Sequence, residues 1–189
     1  MADDPVGELW IVRHGETEWS RDGRHTSTTE VDLTPDGERV ARGLAERLDG
    51  IAFDRVLSSP RTRARRTAEL AGFTDVEVDP DLAEWDYGDY EGLTTPQIRE
   101  QVPGWTVWSE PCPGGETADE VAARLDRVVA QVRRTGRVLV FSHGHASRVL
   151  AARWLGLPPD DGRHFVLDTA TVSVLGWERE SPAVVRWNS

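Results

Sequence analysis

The chain has 189 residues, 38% apolar and 29% charged, enough for a sizeable core and far from the composition of a disordered polypeptide. Its net charge of −11 argues against an open nucleic-acid surface, and no apolar run approaches the roughly 20 residues of a membrane span. All 22 fixed cations are arginine, which removes Schiff-base and P-loop lysine chemistry, and the single Cys112 excludes an intramolecular disulfide and a cysteine-based zinc site.

The first residues, MADDPVGE, are acidic rather than signal-like, so a cytoplasmic protein is expected. Next comes LWIV (9–12), a buried-type strand that runs directly into Arg13, His14 and Gly15, a glycine that suits a tight backbone turn at the strand end. Thr34 and Pro35 form a helix start, followed by Val40, Leu44 and Leu48 at four-residue spacing. A second strand is expected at FDRVLS (53–58). Ser59 with Pro60 then repeats the helix-start signal before RTRARRTAELAG, where Arg61, Arg63, Arg65 and Arg66 suggest a mostly solvated face. A weaker strand, VEVD (76–79), precedes PDLAEWDYGDYEG, which carries Glu84.

Thr117 and Glu120 read as a capping box for a helix whose Val121, Leu125, Val128, Val129 and Val132 form an apolar stripe stopped by Gly136. The strand VLVFS (138–142) follows and ends in Ser142-His143-Gly144. A last helix spans about 144–155, ahead of Gly156. VSVLGW (172–177) and AVVRW (183–187) are separated by only five residues and predict an antiparallel edge hairpin. Strands alternating with helices predict an α/β fold, a three-layer α/β/α sandwich on a mostly parallel mixed sheet. Residues 1–189 are expected to form one domain with a small cap segment at about 84–115.

Ligands of open α/β sheets bind beyond the carboxyl ends of the strands. Those ends deliver Arg13, His14, Arg63, Glu84 and His143 to one edge, and two of them open helices, whose N-termini favour anions. This set suits a phosphate. An imidazole can attack phosphorus, arginines can spread the equatorial charge, and a carboxylic acid can protonate the departing oxygen. No HExxH pattern joins the five histidines, so no metal site and no cofactor are expected, and the roles of His25 and His145 stay open. Cys112, in PCPGG, reads as a loop spectator.

RHGETEW, SSPRTRARRTA, AEWDYGDYEG and SHG, in this order from residue 13 to residue 144, resemble the motif set of the histidine phosphatase superfamily, also called phosphoglycerate-mutase-like. The resemblance implies His14 as nucleophile through a phosphohistidine, and Arg13 and Arg63 as clamps on the phosphoryl group. It makes His143 their partner across the group, most useful when protonated, and Glu84 the proton donor and later base. Ser20 stands where many members have asparagine; Thr26 and the Gly144 N–H fall at substrate-contact positions. Opposed protonation demands on these groups suggest a mildly acidic optimum.

Cofactor-dependent mutases of the family carry a long, basic insertion after the proton-donor motif. Here LTTPQIREQVPGWTVWSEPCPGGET holds one arginine, Arg99, while Ser27 and His145 replace a mutase glycine and asparagine. The expected activity is therefore a metal-independent phosphatase of small phosphorylated metabolites, sugar phosphates first, similar to broad-specificity acid phosphatases and sedoheptulose-bisphosphatase-like members. The alternatives are a phosphoglycerate mutase and a non-catalytic phospho-ligand module. Trp85, Tyr87, Trp105 and Trp108 either stack on a sugar or staple the cap to the sheet. Oligomeric state, monomer or dimer, is left open.

Overall fold

A computed structural model describes residues 7–189; most of the acidic N-terminal stretch lies outside the described residues. Six strands form one sheet: β1 (Glu8–Arg13), β2 (Arg55–Ser58), β3 (Glu77–Val78), β4 (Arg137–Ser142), β5 (Val172–Glu178) and β6 (Ser181–Arg186). Their spatial order is β3-β2-β4-β1-β5-β6. The first four in that order are parallel, β5 runs antiparallel to β1, and β6 turns back antiparallel to β5 in an edge hairpin, as the short connection requires.

Strand β1 is central, and its alternate side chains feed two cores. Leu9 and Ile11 join the cluster built with α5 (Ala118–Val132) and α6 (Gly144–Trp154); Trp10 and Val12 join that of α2 (Pro35–Leu48) and α3 (Thr62–Leu70). Both faces of the sheet are thus covered, so every residue of LWIV is apolar. Two short helices, α1 (Glu18–Arg21) and α4 (Thr95–Gln101), complete the set. Among the described residues no helix is long and apolar enough to cross a membrane.

Several expected boundaries shift for identifiable reasons. In α2 the buried face is Gly37, Ala41, Leu44 and Leu48, while Val40 is 41% exposed. A strict four-residue row drifts around a helix of 3.6 residues per turn, and Ala41 takes the inward place. Helix α3 begins at Thr62 with Arg61 as its cap residue, two positions after the expected start. The Ser59 hydroxyl is used elsewhere: it lies 2.7 Å from His143 Nε2. Helix α5 keeps its capping box and buries the whole expected stripe.

In the cap segment Trp85 and Trp105 are core residues in the same cluster as Leu125 and Val149. Their indole N–H groups donate to the carbonyls of Glu116 and Pro111. For these two the stapling reading holds. Cys112 is buried beside them and its thiol is pushed up to about 11 by desolvation, which makes it inert at neutral pH.

Gly15 has a different role from the tight turn beside phosphate that its position suggests. A Cβ there would lie 2.7 Å from the Gly37 carbonyl oxygen, and one on Gly37 would lie 2.2 Å from that of Glu16. The paired glycines let the loop after β1 press against the first turn of α2. Gly37→Ala is expected to cost about 2 kcal/mol and to lower Tm by roughly 4–8 °C, with a loss of activity from the displaced His14 loop. Gly43→Ala on the same helix has open space at its Cβ and should instead raise Tm slightly. Equal thermal melts for the two variants would refute the close-approach account.

Candidate active site

The carboxyl ends of β1, β4 and β2 lie side by side: Arg13 is opposite Ser142, and Ser58 opposite Phe141. The ladder continues one step further, His14 N–H donating to Ser142 O (3.0 Å) and Ser59 N–H to Phe141 O (2.9 Å). His14 and His143 follow these ends, and their rings meet edge to face with centroids 5.2 Å apart.

His14 Nδ1 lies 2.8 Å from the Gly15 carbonyl oxygen, which can only accept, so Nδ1 carries the proton and Nε2 keeps its lone pair. The ring is 5% exposed. Desolvation, reinforced by the Arg63 and Arg13 charges, pushes it well below the ordinary histidine range. A neutral imidazole with a defined tautomer is the form a nucleophile needs. His143 is fully buried and is also held neutral, by desolvation first and the Arg63 charge second. This departs from the expected imidazolium: the arginine charge that would stabilise a bound anion also repels a proton.

Three buried nitrogens here have no partner among the described residues: Arg13 Nε, Arg63 Nε and His143 Nδ1. Buried polar groups are nearly always paired, and these three belong to arginines and a histidine at the strand ends, side chains able to receive an oxyanion. Arg13 is anchored by Nη1–H donating to Leu167 O (2.5 Å), while Ala170 N–H donates to Arg13 O and fixes its backbone. Arg63 donates to the carbonyls of Thr26, Ser27 and Thr29 at 3.1 Å each, so it also shapes the loop that carries Thr26. Burial lowers the pKa of both guanidiniums, with Glu84 as the main opposing charge.

Glu84 Oε1 accepts from the N–H groups of Trp85 (3.0 Å) and Ala146 (2.7 Å), and Oε2 accepts one from His145 (3.1 Å). The carboxylate thus caps α6, leaving Oε2 with capacity for a further proton. A point one bond from the Gly144 Cα is 3.5 Å from the Arg13 guanidinium carbon and 3.6 Å from Glu84 Oε2. Gly144, the first residue of α6, therefore lies where arginine and carboxylate converge.

Arg13, His14, Glu84, Gly144, Ser20 and Thr26 line one cleft of about 210 Å³; Arg63 and His143 are buried and do not line it. The Ser20 hydroxyl donates to Thr17 O and accepts from Thr17 N–H, a capping box at α1. Its one proton is thus used inside the chain. Tyr87, His25 and His145 also line the cleft, the Tyr87 hydroxyl 2.6 Å from His145 Nδ1, so Tyr87 is both buried and at the site. Trp108 instead stacks under Arg148.

Other contributors were not legible in the sequence. Thr67 accepts from Gly15 N–H and donates to Arg63 O, tying the β1 loop to α3. Arg124 of α5 donates to the carbonyls of Asp81, Ala83 and Glu84 and pairs with Glu116. Arg124→Gln leaves those carbonyls short of donors and frees the segment that bears Glu84, at an expected cost of about 3 kcal/mol. If Arg124 positions the proton donor, kcat falls further for alkyl phosphates than for p-nitrophenyl phosphate, whose leaving group needs no proton. Equal falls would leave Arg124 a purely structural residue. In sequence Arg124 looked like any polar residue on an amphipathic helix.

The chain is similar to known proteins along most of its length. Residues 9–189 match the model of the histidine phosphatase superfamily, branch 1. An acid phosphatase of Mycobacterium tuberculosis is 47% identical over 90% of this chain and 86% of its own length. The sedoheptulose 1,7-bisphosphatase of Saccharomyces cerevisiae is 37% identical over 78% and 67%. A probable phosphoglycerate mutase of Salmonella choleraesuis is 29% identical over 95% and 89%. The solved structure of an open reading frame from Mycobacterium tuberculosis superposes with a TM-score of 0.92, at 44% identity, over 96% of this chain and 97% of that one. The chain belongs to the histidine phosphatase superfamily, and it is a phosphatase.

Proposed function

We propose that the protein hydrolyses small phosphate monoesters, sugar phosphates first, by a metal-independent route through a phosphohistidine on His14. The observation that carries this reading is the His14 imidazole itself, neutral, with Nδ1–H on the Gly15 carbonyl and Nε2 free, beside the orphaned nitrogens of Arg13, Arg63 and His143. Nε2 attacks phosphorus while the bond to the ester oxygen breaks, and Glu84 Oε2 gives its proton to that oxygen. The three equatorial oxygens take the orphaned donors. An arriving phosphate dianion opposes the arginine charges, which raises the affinity of His143 for a proton while the anion is bound. In the second half, water loses a proton to Glu84 and attacks phosphorus, the P–N bond breaks, and inorganic phosphate leaves.

Hydrolysis is favoured over return of the phosphoryl group to a sugar acid by the fate of Arg99. The sole arginine of the cap segment expected to hold a mutase's second phosphate donates Nε–H to Trp105 O (2.8 Å) and does not line the cleft. The test is p-nitrophenyl phosphate turnover in EDTA, together with alkaline trapping of a labelled phosphoenzyme. Full activity in chelator with an acid-labile, alkali-stable adduct is expected. Loss of activity in EDTA, or 2-phosphoglycerate formed from the 3-isomer faster than phosphate is released, would overturn the reading.

A further inference from the structure

Arg13 reaches the cleft on little support. Its guanidinium makes one hydrogen bond among the described residues, Nη1–H to the Leu167 carbonyl, and Nε has no partner. A long, flexible side chain is aimed only as well as its anchor is fixed. The position of Leu167 O therefore decides where Arg13 points. Leu167 is 5% exposed and lines the cleft, yet it belongs to no helix or strand: residues 165–171 run irregularly into β5.

Two consecutive residues from beyond β6 hold the backbone on either side of Leu167. The Trp187 indole N–H donates to Val166 O. Asp168 N–H donates to Asn188 Oδ1 (2.7 Å), and Asn188 Nδ2–H donates back to the Asp168 carboxylate (2.9 Å). Asn188 is itself fixed to the sheet, its N–H donating to Ser173 Oγ (3.0 Å) on β5, where Ser173 sits opposite Ile11 of β1. The connection thus starts at β1, passes through Ser173, Asn188 and Asp168, and returns through Leu167 to Arg13 at the end of β1.

Asparagine meets two demands at this position. Asn188 has a left-handed φ of +53°, which asparagine tolerates better than most side chains, and its amide supplies both the acceptor and the donor that Asp168 uses. Aspartate would keep the acceptor, lose the donor and face a second carboxylate. Ala170 is also left-handed, at +54°, and its N–H donates to Arg13 O (3.0 Å). A residue with a Cβ stays in that conformation when its surroundings hold it there.

We infer that Asn188, with Trp187, is a positioning residue that aims Arg13 at the transferring phosphoryl group by clamping the backbone around Leu167. This rests on the phosphatase reading, which gives Arg13 its ligand. Neither Asn188 nor Trp187 lines the cleft, so their effect runs through Arg13.

The test is orthovanadate Kd, kcat/KM on p-nitrophenyl phosphate and Tm for the parent, Asn188→Gly, Asn188→Asp, Trp187→Phe and Arg13→Met. Glycine keeps the left-handed backbone and removes both amide bonds. Phenylalanine keeps a ring against Phe165, 5.1 Å away, and removes only the N–H. Asn188→Gly and Asn188→Asp should each weaken vanadate binding and lower kcat/KM about 10-fold, and Trp187→Phe about 3-fold. Two further results separate aiming from stability alone. On an Arg13→Met background, Asn188→Gly should cost no further vanadate affinity, because the group it aims is gone. Asn188→Asp combined with Asp168→Asn restores both bonds with donor and acceptor exchanged and net charge unchanged, and should recover most of what Asn188→Asp loses. Parental values in Asn188→Gly, losses that add fully on Arg13→Met, or an exchanged pair no better than Asn188→Asp overturn the inference and leave the phosphatase reading intact. A parent inactive on p-nitrophenyl phosphate overturns both.

Discussion

His14→Ala abolishes phosphate release, with kcat expected to fall by at least about 10⁴-fold, because the remaining groups bind and polarise phosphate but supply no nucleophile. The phosphoenzyme trapped at alkaline pH disappears with it. Folding is not the cause, since the replacement removes a desolvated ring whose one hydrogen bond among the described residues is to Gly15 O, and Tm should hold or rise. Orthovanadate binding serves as the separate readout: Arg13, Arg63 and His143 remain, so the variant should still bind the oxyanion, more weakly. A His14→Ala protein retaining a tenth of parental turnover would sink the covalent mechanism, whatever its affinity for vanadate.

Unfolding free energy falls steeply as pH drops below about 6.5. His14, His143 and His145 are each pushed well below the ordinary histidine range by burial, and His25 is lowered for the same reason. Their native forms stay neutral where the unfolded chain takes up protons, so stability is complete above the unfolded value and is lost as pH falls toward the native ones. Each such group contributes about 1.4 kcal/mol per pH unit, and three together about 4 kcal/mol per unit, against a typical total of 5–15 kcal/mol. The acidic surface works the other way, because protonation relieves the self-repulsion of a −11 chain. That term is spread over the surface and screened by salt, so the buried rings dominate.

Urea melts at pH 7.5, 6.5, 5.5 and 4.5 measure the slope. A flat profile between pH 7.5 and 5.5 would show that the rings are not held neutral. Inorganic phosphate should flatten the acid side, since a bound anion offsets the charges of Arg13 and Arg63 that oppose protonation. A neutral imidazole in mild acid is the form that the proposed attack by His14 needs. This supports a mildly acidic optimum from the nucleophile's side.

Much of the fold was readable because it depends on local patterning. LWIV had to be central since all four residues are apolar, and the five residues between the last two strands forced a hairpin. Thr117 with Glu120 marked a helix start that is there. Where pattern misled, tertiary context supplied the competitor. Ser59 looked like a helix cap and is claimed by His143; Gly15 looked like a turn glycine and answers to Gly37, far away in sequence.

By itself, the sequence determined the strand ends, and with them that Arg13, His14, Arg63, Glu84 and His143 would meet at one edge of the sheet. Strand polarity and connection length are local properties, so they can be read without coordinates. Only the tertiary structure decided the electrical state of that edge. The neutrality of His14 and His143, the tautomer set by the Gly15 carbonyl and the capping of α6 by Glu84 all depend on desolvation and on charges brought close from distant segments. Those quantities vary over a few ångströms, and residue spacing along a chain does not fix them.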